Sequence, residues 1–227
     1  MLASRERWRR AQAYELDYWQ RNWTPADRGS LMPPQLEFVK SCGLEGKHVL
    51  EVGCGPIGVI FFAPGSLRVG IDPLAREYAA SLNLSTDGVQ LLASVGENLP
   101  LAAGSFDIVV IGNVLDHVHH PDNTLAEVRR VLKPDGLVIL WMHVIPRWLV
   151  PMRNILNTID GGHPYHMTKD DAYALARRAQ LEPHEGTMES TGLGWRRGWK
   201  AAAANIAMRN LVFKARPVGG REPAVAR

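Results

Sequence analysis

The stretch Val49-Leu50-Glu51-Val52-Gly53-Cys54-Gly55-Pro56-Ile57-Gly58 decides the fold. It opens as a strand-length apolar run and passes straight into a glycine-rich turn. A short apolar helical segment follows and stops at Pro64-Gly65. Glycines accept positive φ and let a ligand approach the backbone closely. The start of a helix offers unpaired N–H groups to a carboxylate or phosphate. The next apolar run ends in Gly70-Ile71-Asp72-Pro73, with Asp72 fourteen residues after Gly58. An acid at the end of a second strand can accept both hydroxyls of a ribose. Gly-x-Gly-x-x-Gly alone is weak evidence, since tight turns produce it often. The strand before it and the acid behind it make it a nucleotide-type signal.

Outward from this turn, apolar runs of strand length recur at His48–Val52, Leu67–Ile71, Val89–Ala93, Phe106–Ile111, Leu137–Val144 and Leu211–Ala215. Several are continuous rather than alternating, as strands buried on both faces of a parallel sheet require. Helical patterns separate them. Pro73 stands at the first position of one. Asp122 is placed to cap NTLAEVRRVL, and Thr168 to cap KDDAYALARRAQL with Asp171 three residues on. Pro134-Asp135-Gly136 reads as a turn. Strand alternating with helix predicts a doubly wound α/β sheet with right-handed crossovers.

The chain has 227 residues, 46% hydrophobic and 22% charged, enough for one generous domain with a real core. No run of eighteen apolar residues occurs, and the N-terminus lacks the apolar core of a secretory signal. Two cysteines, Cys42 and Cys54, exclude a disulfide framework, and the cytoplasm is the default compartment. The net charge of +3 hides an uneven distribution. Residues 1–28 carry +2, residues 29–190 carry −6 and residues 191–227 carry +7. The basic end suggests an acidic partner or simply a solvated tail.

Two cofactor classes fit the turn. A dinucleotide would set its pyrophosphate on the following helix, but Pro64 cuts that helix short. Glu51-Val52-Gly53-Cys54-Gly55 instead resembles the E/D-x-G-x-G signature of class I S-adenosylmethionine-dependent methyltransferases. Glu97-Asn98-Leu99-Pro100-Leu101 with Gly104–Val109, Asn113–Val118 and Val131–Gly136 resemble later segments of that superfamily. They fall in the right order over residues 47–143. His163-Pro164-Tyr165-His166-Met167-Thr168 resembles a loop of its small-molecule, "methyltransferase type 11"-like members.

The resemblance implies a Rossmann-like, seven-stranded, mostly parallel sheet with an antiparallel last strand and helices on both faces. It divides the chain into an N-terminal helical cap (1–30), a methyltransferase domain (31–217) and a flexible tail (218–227). Segments 144–167 and 191–205 would be insertions near the substrate. The implied cofactor is S-adenosyl-L-methionine. Gly53 and Gly55 would pass beneath its methionine moiety, Glu51 would orient the turn, and Asp72 would hold the ribose. Asn113 would line the methyl-transfer site. Pro73, Ser94, Val95 and Gly96 complete the cofactor set. Val95 stands where the family usually places an acid against the adenine amine, so Ser94, Glu97 or backbone carbonyls are the alternatives.

Methyl transfer from a sulfonium is a displacement in which the protein supplies alignment and desolvation, and it needs no metal. A hydroxyl acceptor also needs a base. His117, in the turn after the fourth strand, is the favoured candidate, with Tyr14 or Tyr18 as an N-terminal partner; His143 is the next. His163 and His166 could gate the pocket, and no regular spacing supports a metal cluster of His143, His163 and His166. Tyr14, Tyr18, Trp19 and Trp23 form aromatic stripes that could be a lid or plain packing. Pro146–Ile159 could cap the pocket, form a homodimer face or touch a membrane.

The leading reading is an enzyme that methylates an oxygen or nitrogen of a small molecule. An RNA or protein methyltransferase is the alternative, with Trp195, Arg196, Arg197, Trp199 and Lys200 as a stacking and phosphate surface. The absence of an Asn-Pro-Pro-Tyr-type tetrapeptide after the fourth strand weighs against nucleic-acid bases. A non-catalytic S-adenosylmethionine-binding module is the third reading, supported by Val95 alone.

Overall fold

The structure, a computed structural model, describes residues 4–22, 35–82, 86, 88–159, 163–190 and 208–219. Seven strands form one sheet: β1 (His48–Val52), β2 (Leu67–Asp72), β3 (Gln90–Ala93), β4 (Phe106–Gly112), β5 (Leu132–Val144), β6 (Leu181–Ser190) and β7 (Arg209–Pro217). Their order is β3-β2-β1-β4-β5-β7-β6. β7 alone runs antiparallel, between β5 and β6. The fold class matches the expectation.

The continuous apolar runs have a simple cause. Along β4, Val109 and Ile111 join the core on one face while Ile108 and Val110 join the core on the other. Val138, Leu140 and Met142 of β5 face the first core; Leu137, Ile139 and Trp141 face the second. The first core is covered by α4 (Pro121–Val131) and α6 (Lys169–Arg178), the second in part by α2 (Leu36–Lys40). Truncating a fully buried residue such as Ile111 to Ala costs about 2–5 kcal/mol at such a site.

Strand order reverses between β1 and β4, where a crevice opens at the carboxyl ends of the strands. The end of β2 and the turns after β1, β3 and β4 bring Asp72, Gly53, Ser94 and Asn113 to that edge. Helix α1 (Arg5–Asn22) lies across it with only Ala11 buried. Its Leu16 and Trp19 pack on Tyr78 and Leu82 of α3 (Ala75–Leu82). Arg7 donates to the His163 carbonyl at 3.3 Å, and the Trp8 ring meets His119 edge-on at 6.4 Å.

Several local readings change. α3 starts at Ala75, with Pro73 in the preceding turn. α4 starts at Pro121 itself, so Asp122 is inside the helix and pairs with Arg178 at 2.7 Å instead of capping. Residues 134–136 lie within β5, where the register against β4 is irregular between Phe106 and Ile108. Thr168 and Asp171 form the expected reciprocal capping box. β6, absent from the apolar runs, is a largely exposed polar edge strand that tolerates Pro183.

Pro146–Ile159 forms a 3-10 helix (Arg147–Met152) and α5 (Arg153–Ile159). It does not line the main cavity. Arg147 and Arg153 pair with Asp170 and Asp171 and draw it toward α6, leaving Trp148, Met152 and Ile155 exposed. Among the described residues no helix is long and apolar enough to cross a membrane. Trp23, the basic and aromatic residues 195–200, the 191–205 insertion and most of the tail lie outside the described residues.

Candidate active site

The glycine turn leaves β1 by two sharp bends. Gly53 has φ +70° and Gly55 φ +50°, backbone regions that burden any side chain. A Cβ on Gly53 would overlap the methyls of Val114, whereas a Cβ on Gly55 would meet no atom within 4 Å. The turn is therefore packed shut at Gly53 and open at Gly55. Asp72 fixes it from the next strand. One carboxylate oxygen accepts the Gly55 N–H at 2.9 Å and the other accepts the Leu74 N–H at 2.8 Å. Each oxygen keeps a lone pair. Burial pushes the Asp72 carboxyl up to about 6, against those two donors, with Glu15 of α1 adding to the rise.

Glu51 lies beneath the turn and is buried. Its carboxylate accepts the Ile60 N–H at 2.8 Å and the Val59 N–H at 3.3 Å, capping the 3-10 turn Val59–Phe61. Burial pushes it up to about 8 despite both bonds. Burial also pushes the Tyr78 phenol far up, with Asp72 and Glu15 adding to the rise, so it stays neutral.

A cavity of about 470 Å³ opens above these groups. Gly53, Gly55, Asp72, Pro73, Ser94, Val95, Gly96, Asn113 and the edge of Glu51 line it. α1 closes it with Trp8, Gln12, Tyr14, Glu15, Tyr18 and Trp19. Near Val95, Oε1 of Glu97 already accepts the N–H groups of His119 and His120, at 2.8 and 2.9 Å. The Ser94 hydroxyl donates to the Asn98 carbonyl at 2.9 Å and keeps its lone pairs for a second contact.

The other end of the cavity is built by the turn after β4. Asn113 sits at φ +54°, and its Oδ1 is buried with no hydrogen-bond partner among the described residues. His117 lines the cavity, with Nε2 3.9 Å from Oδ1 of buried Asp116. The loop after β5 brings the His163 ring to 4.7 Å from that of His117, and His143 lies 6.5 Å from His163. Burial holds the His143 imidazole below its ordinary range, and its Nδ1 has no hydrogen-bond partner among the described residues.

Residues 50–140 match the family described as a methyltransferase domain. Over this stretch, from β1 into β5, the chain is similar to methyltransferase domains. An uncharacterized methyltransferase of Mycobacteroides abscessus is 33% identical over 164 residues, 70% of this chain and 59% of its own length. A thiol S-methyltransferase of Rattus norvegicus is 37% identical over 105 residues, 42% of each chain. The chain spans about half the length of the curated relatives it matches. The geranyl diphosphate C-methyltransferase of Streptomyces coelicolor, solved with Mg2+, geranyl diphosphate and S-adenosyl-L-homocysteine, superposes with a TM-score of 0.63 at 19% identity. That match covers 81% of this chain and 78% of that one.

The predicted residues separate into three groups. All nine predicted cofactor residues meet at one cavity, with His117 and Tyr14 on its wall. His143 does not line that cavity; its ring lies 6.5 Å from that of His163. Tyr14 is 58% exposed, and among the described residues no hydrogen bond joins it to His117. His166 is buried, and its ring Nδ1 is 2.8 Å from the Asn157 side-chain oxygen, a structural post rather than a gate. Its neighbour Tyr165 donates to the His119 carbonyl at 2.7 Å and so docks the loop on the β4 turn. The sequence reading passed over Asp116, Glu15, Tyr78 and Trp141. Asp116 alone carried a local signal, as an acid beside His117 in the turn motif.

Proposed function

We propose that this chain is an S-adenosylmethionine-dependent methyltransferase that moves a methyl group to an oxygen or nitrogen of a small molecule. The observation that carries the reading is Asp72. It is a buried carboxylate with spare lone pairs at the end of β2, on the wall of a cavity whose glycine turn is open at Gly55. These residues fit the cofactor: Asp72 would hold the ribose, Gly55 would admit the methionine moiety with Gly53 setting the bend before it, and Ser94, Val95 and Gly96 would border the adenine. When bound, S-adenosylmethionine supplies an electrophilic methyl group on a positively charged sulfur.

The chain's own part is alignment, exclusion of water and handling of the acceptor's proton. α1 roofs the cavity with aromatic rings and touches both ends, which suits it to shield a small acceptor. The group around His117 lies beside Asn113 at the end opposite Asp72 and is placed to draw the proton from a hydroxyl. The non-catalytic alternative accounts for the cofactor cradle but gives no use for this second group.

The test is a calorimetric titration with S-adenosyl-L-homocysteine, followed by a labelled-methyl screen of hydroxyl- and amine-bearing small molecules. Binding and transfer to one of them supports the proposal. Absence of binding removes it. Binding with transfer only to RNA or protein acceptors replaces it with the alternative.

A further inference from the structure

Behind the cavity wall, donor atoms of Asp116, His117 and His163 all lie within 4.8 Å of one another. Asp116 is only 2% exposed, yet its Oδ1 has no hydrogen-bond partner among the described residues. A buried acceptor left unpaired costs about 1–3 kcal/mol, more when charged, so it calls for a partner. The imidazoles of His117 and His163 stand 4.7 Å apart at an interplanar angle of 56°, tilted rather than stacked. His143 adds a buried Nδ1 with no hydrogen-bond partner among the described residues, its ring 6.5 Å from that of His163.

We propose that Asp116, His117 and His163 bind a divalent first-row transition ion of the Zn2+ type at the acceptor end of the cavity. Two imidazole nitrogens with one carboxylate oxygen are the donors such ions take, unlike the all-oxygen shells of Mg2+ and Ca2+. Donors on one tetrahedral ion lie roughly 3.3–3.5 Å apart, so small side-chain rotations close the present set. Three protein ligands leave a coordination position open, the arrangement of reactive rather than purely structural sites. His117 is the ligand that lines the cavity, so an ion held by it sits beside that wall.

The consequence for substrate rests on the methyltransferase reading above. A hydroxyl or thiol bound to the ion loses its proton to solvent more readily and stands ready as an anion. His117 then acts as a ligand and not as a free base. Within the proposed acceptors this favours an ionisable oxygen over an amine nitrogen, and the same chemistry extends the class to thiols.

Co2+ is the probe, added to the chelator-treated, cofactor-free full chain, with its visible absorption recorded. One saturating equivalent, displaced by Zn2+, is expected. Asp116→Asn and His163→Gln should each weaken it at least about tenfold, the effect that even an outer partner of a metal site carries. His184→Ala, exposed on β6, should leave it unchanged. Circular dichroism and melting confirm that each variant is folded. No saturable signal, or equal affinity in wild type, Asp116→Asn and His163→Gln, overturns the proposal. S-adenosyl-L-homocysteine titration of the same samples separates the two ideas. Co2+ saturation without cofactor binding keeps the ion site and removes the methyltransferase reading. Cofactor binding without Co2+ saturation does the reverse.

Discussion

At one end of the cavity, Glu51 accepts the N–H groups of Val59 and Ile60, and Asp72 accepts those of Gly55 and Leu74. At the other end, Asn113 Oδ1, Asp116 Oδ1 and His143 Nδ1 meet no donor or acceptor among the described residues. The first pair of carboxylates is held by backbone, so that end keeps its shape whether or not a ligand is bound. The second group is held in place by packing and the β4 turn, with its polar atoms unmatched. Native proteins satisfy nearly all buried polar groups, so these atoms call for a water, an ion, a ligand or a catalytic use. The glycine-turn end is thus tied into the fold, while the other, which we propose receives the acceptor, keeps polar atoms without hydrogen-bond partners among the described residues.

If the two ends are separable in this way, His117→Ala should give the largest change. Turnover on a hydroxyl acceptor should fall about 10²–10⁴-fold, the usual range for losing a group that manages the acceptor's proton. S-adenosyl-L-homocysteine affinity should stay nearly unchanged by calorimetry. A parallel collapse of cofactor binding would join the two ends into one unit and break the comparison.

Asp72→Ala is the converse. It removes an acceptor for two ribose hydroxyls, worth about 1.5–3 kcal/mol when charged, so affinity should fall roughly 10–150-fold. Its carboxyl is raised to about 6 by burial, so the charged form is lost as the pH drops through that value. Cofactor affinity of the wild type should therefore weaken below about pH 6, and that dependence should vanish in Asp72→Asn. Unchanged affinity in Asp72→Ala would detach Asp72 from the ribose.

The two ends also differ in how well they can be read from sequence. The cradle is local: Glu51, Gly53 and Gly55 come from one turn, and Asp72 ends the next strand. The acceptor end is not. Asp116 and His117 follow β4, His143 ends β5 and His163 lies in a later loop, so only the sheet's order brings them together. No ligand spacing could have shown it. The strands divide similarly. β4 and β5 read as continuous apolar runs because both faces are buried. β6 escaped because an edge strand with one partner keeps exposed, polar positions such as Glu189 and Thr187. The helix signals were clear in kind and off by a residue or two at their starts, where Pro73 and Pro121 each fit the last residue of a turn or the first of a helix.

α1 belongs to both ends, through Trp19 on Tyr78 and through Arg7 on His163. Its removal tests whether the ends communicate. Deleting residues 1–22 should raise the acceptor KM and weaken cofactor binding together, each by roughly tenfold, or about 1.4 kcal/mol. An effect on turnover alone would confine the cap to the acceptor side. Normal kinetics in the folded remainder would remove its role as a lid.

The smallest effect isolates the structural carboxylate from the ligand-facing one. Glu51 is raised from 4.5 to about 8 by burial, so between those values the folded chain holds a proton that the unfolded chain has released. More protons bound in the folded state mean that stability falls as pH rises across this window. The contribution is complete below the unfolded value and is lost as pH passes the folded one. Glu51→Gln cannot titrate. Its amide keeps one acceptor for the Val59 and Ile60 N–H groups, so the variant should be somewhat less stable overall, by about 1 kcal/mol. The informative quantity is the difference between pH 7 and 8.5, above the raised Asp72 value of about 6. Over that range the wild type should lose of order 1 kcal/mol more than Glu51→Gln, about 2–4 °C in melting temperature for a chain of this size. Histidine titrations enter both proteins equally and cancel in the comparison. Parallel melting curves at the two pH values would mean that Glu51 is already ionised in the folded protein, its charge carried by the two backbone donors of the turn.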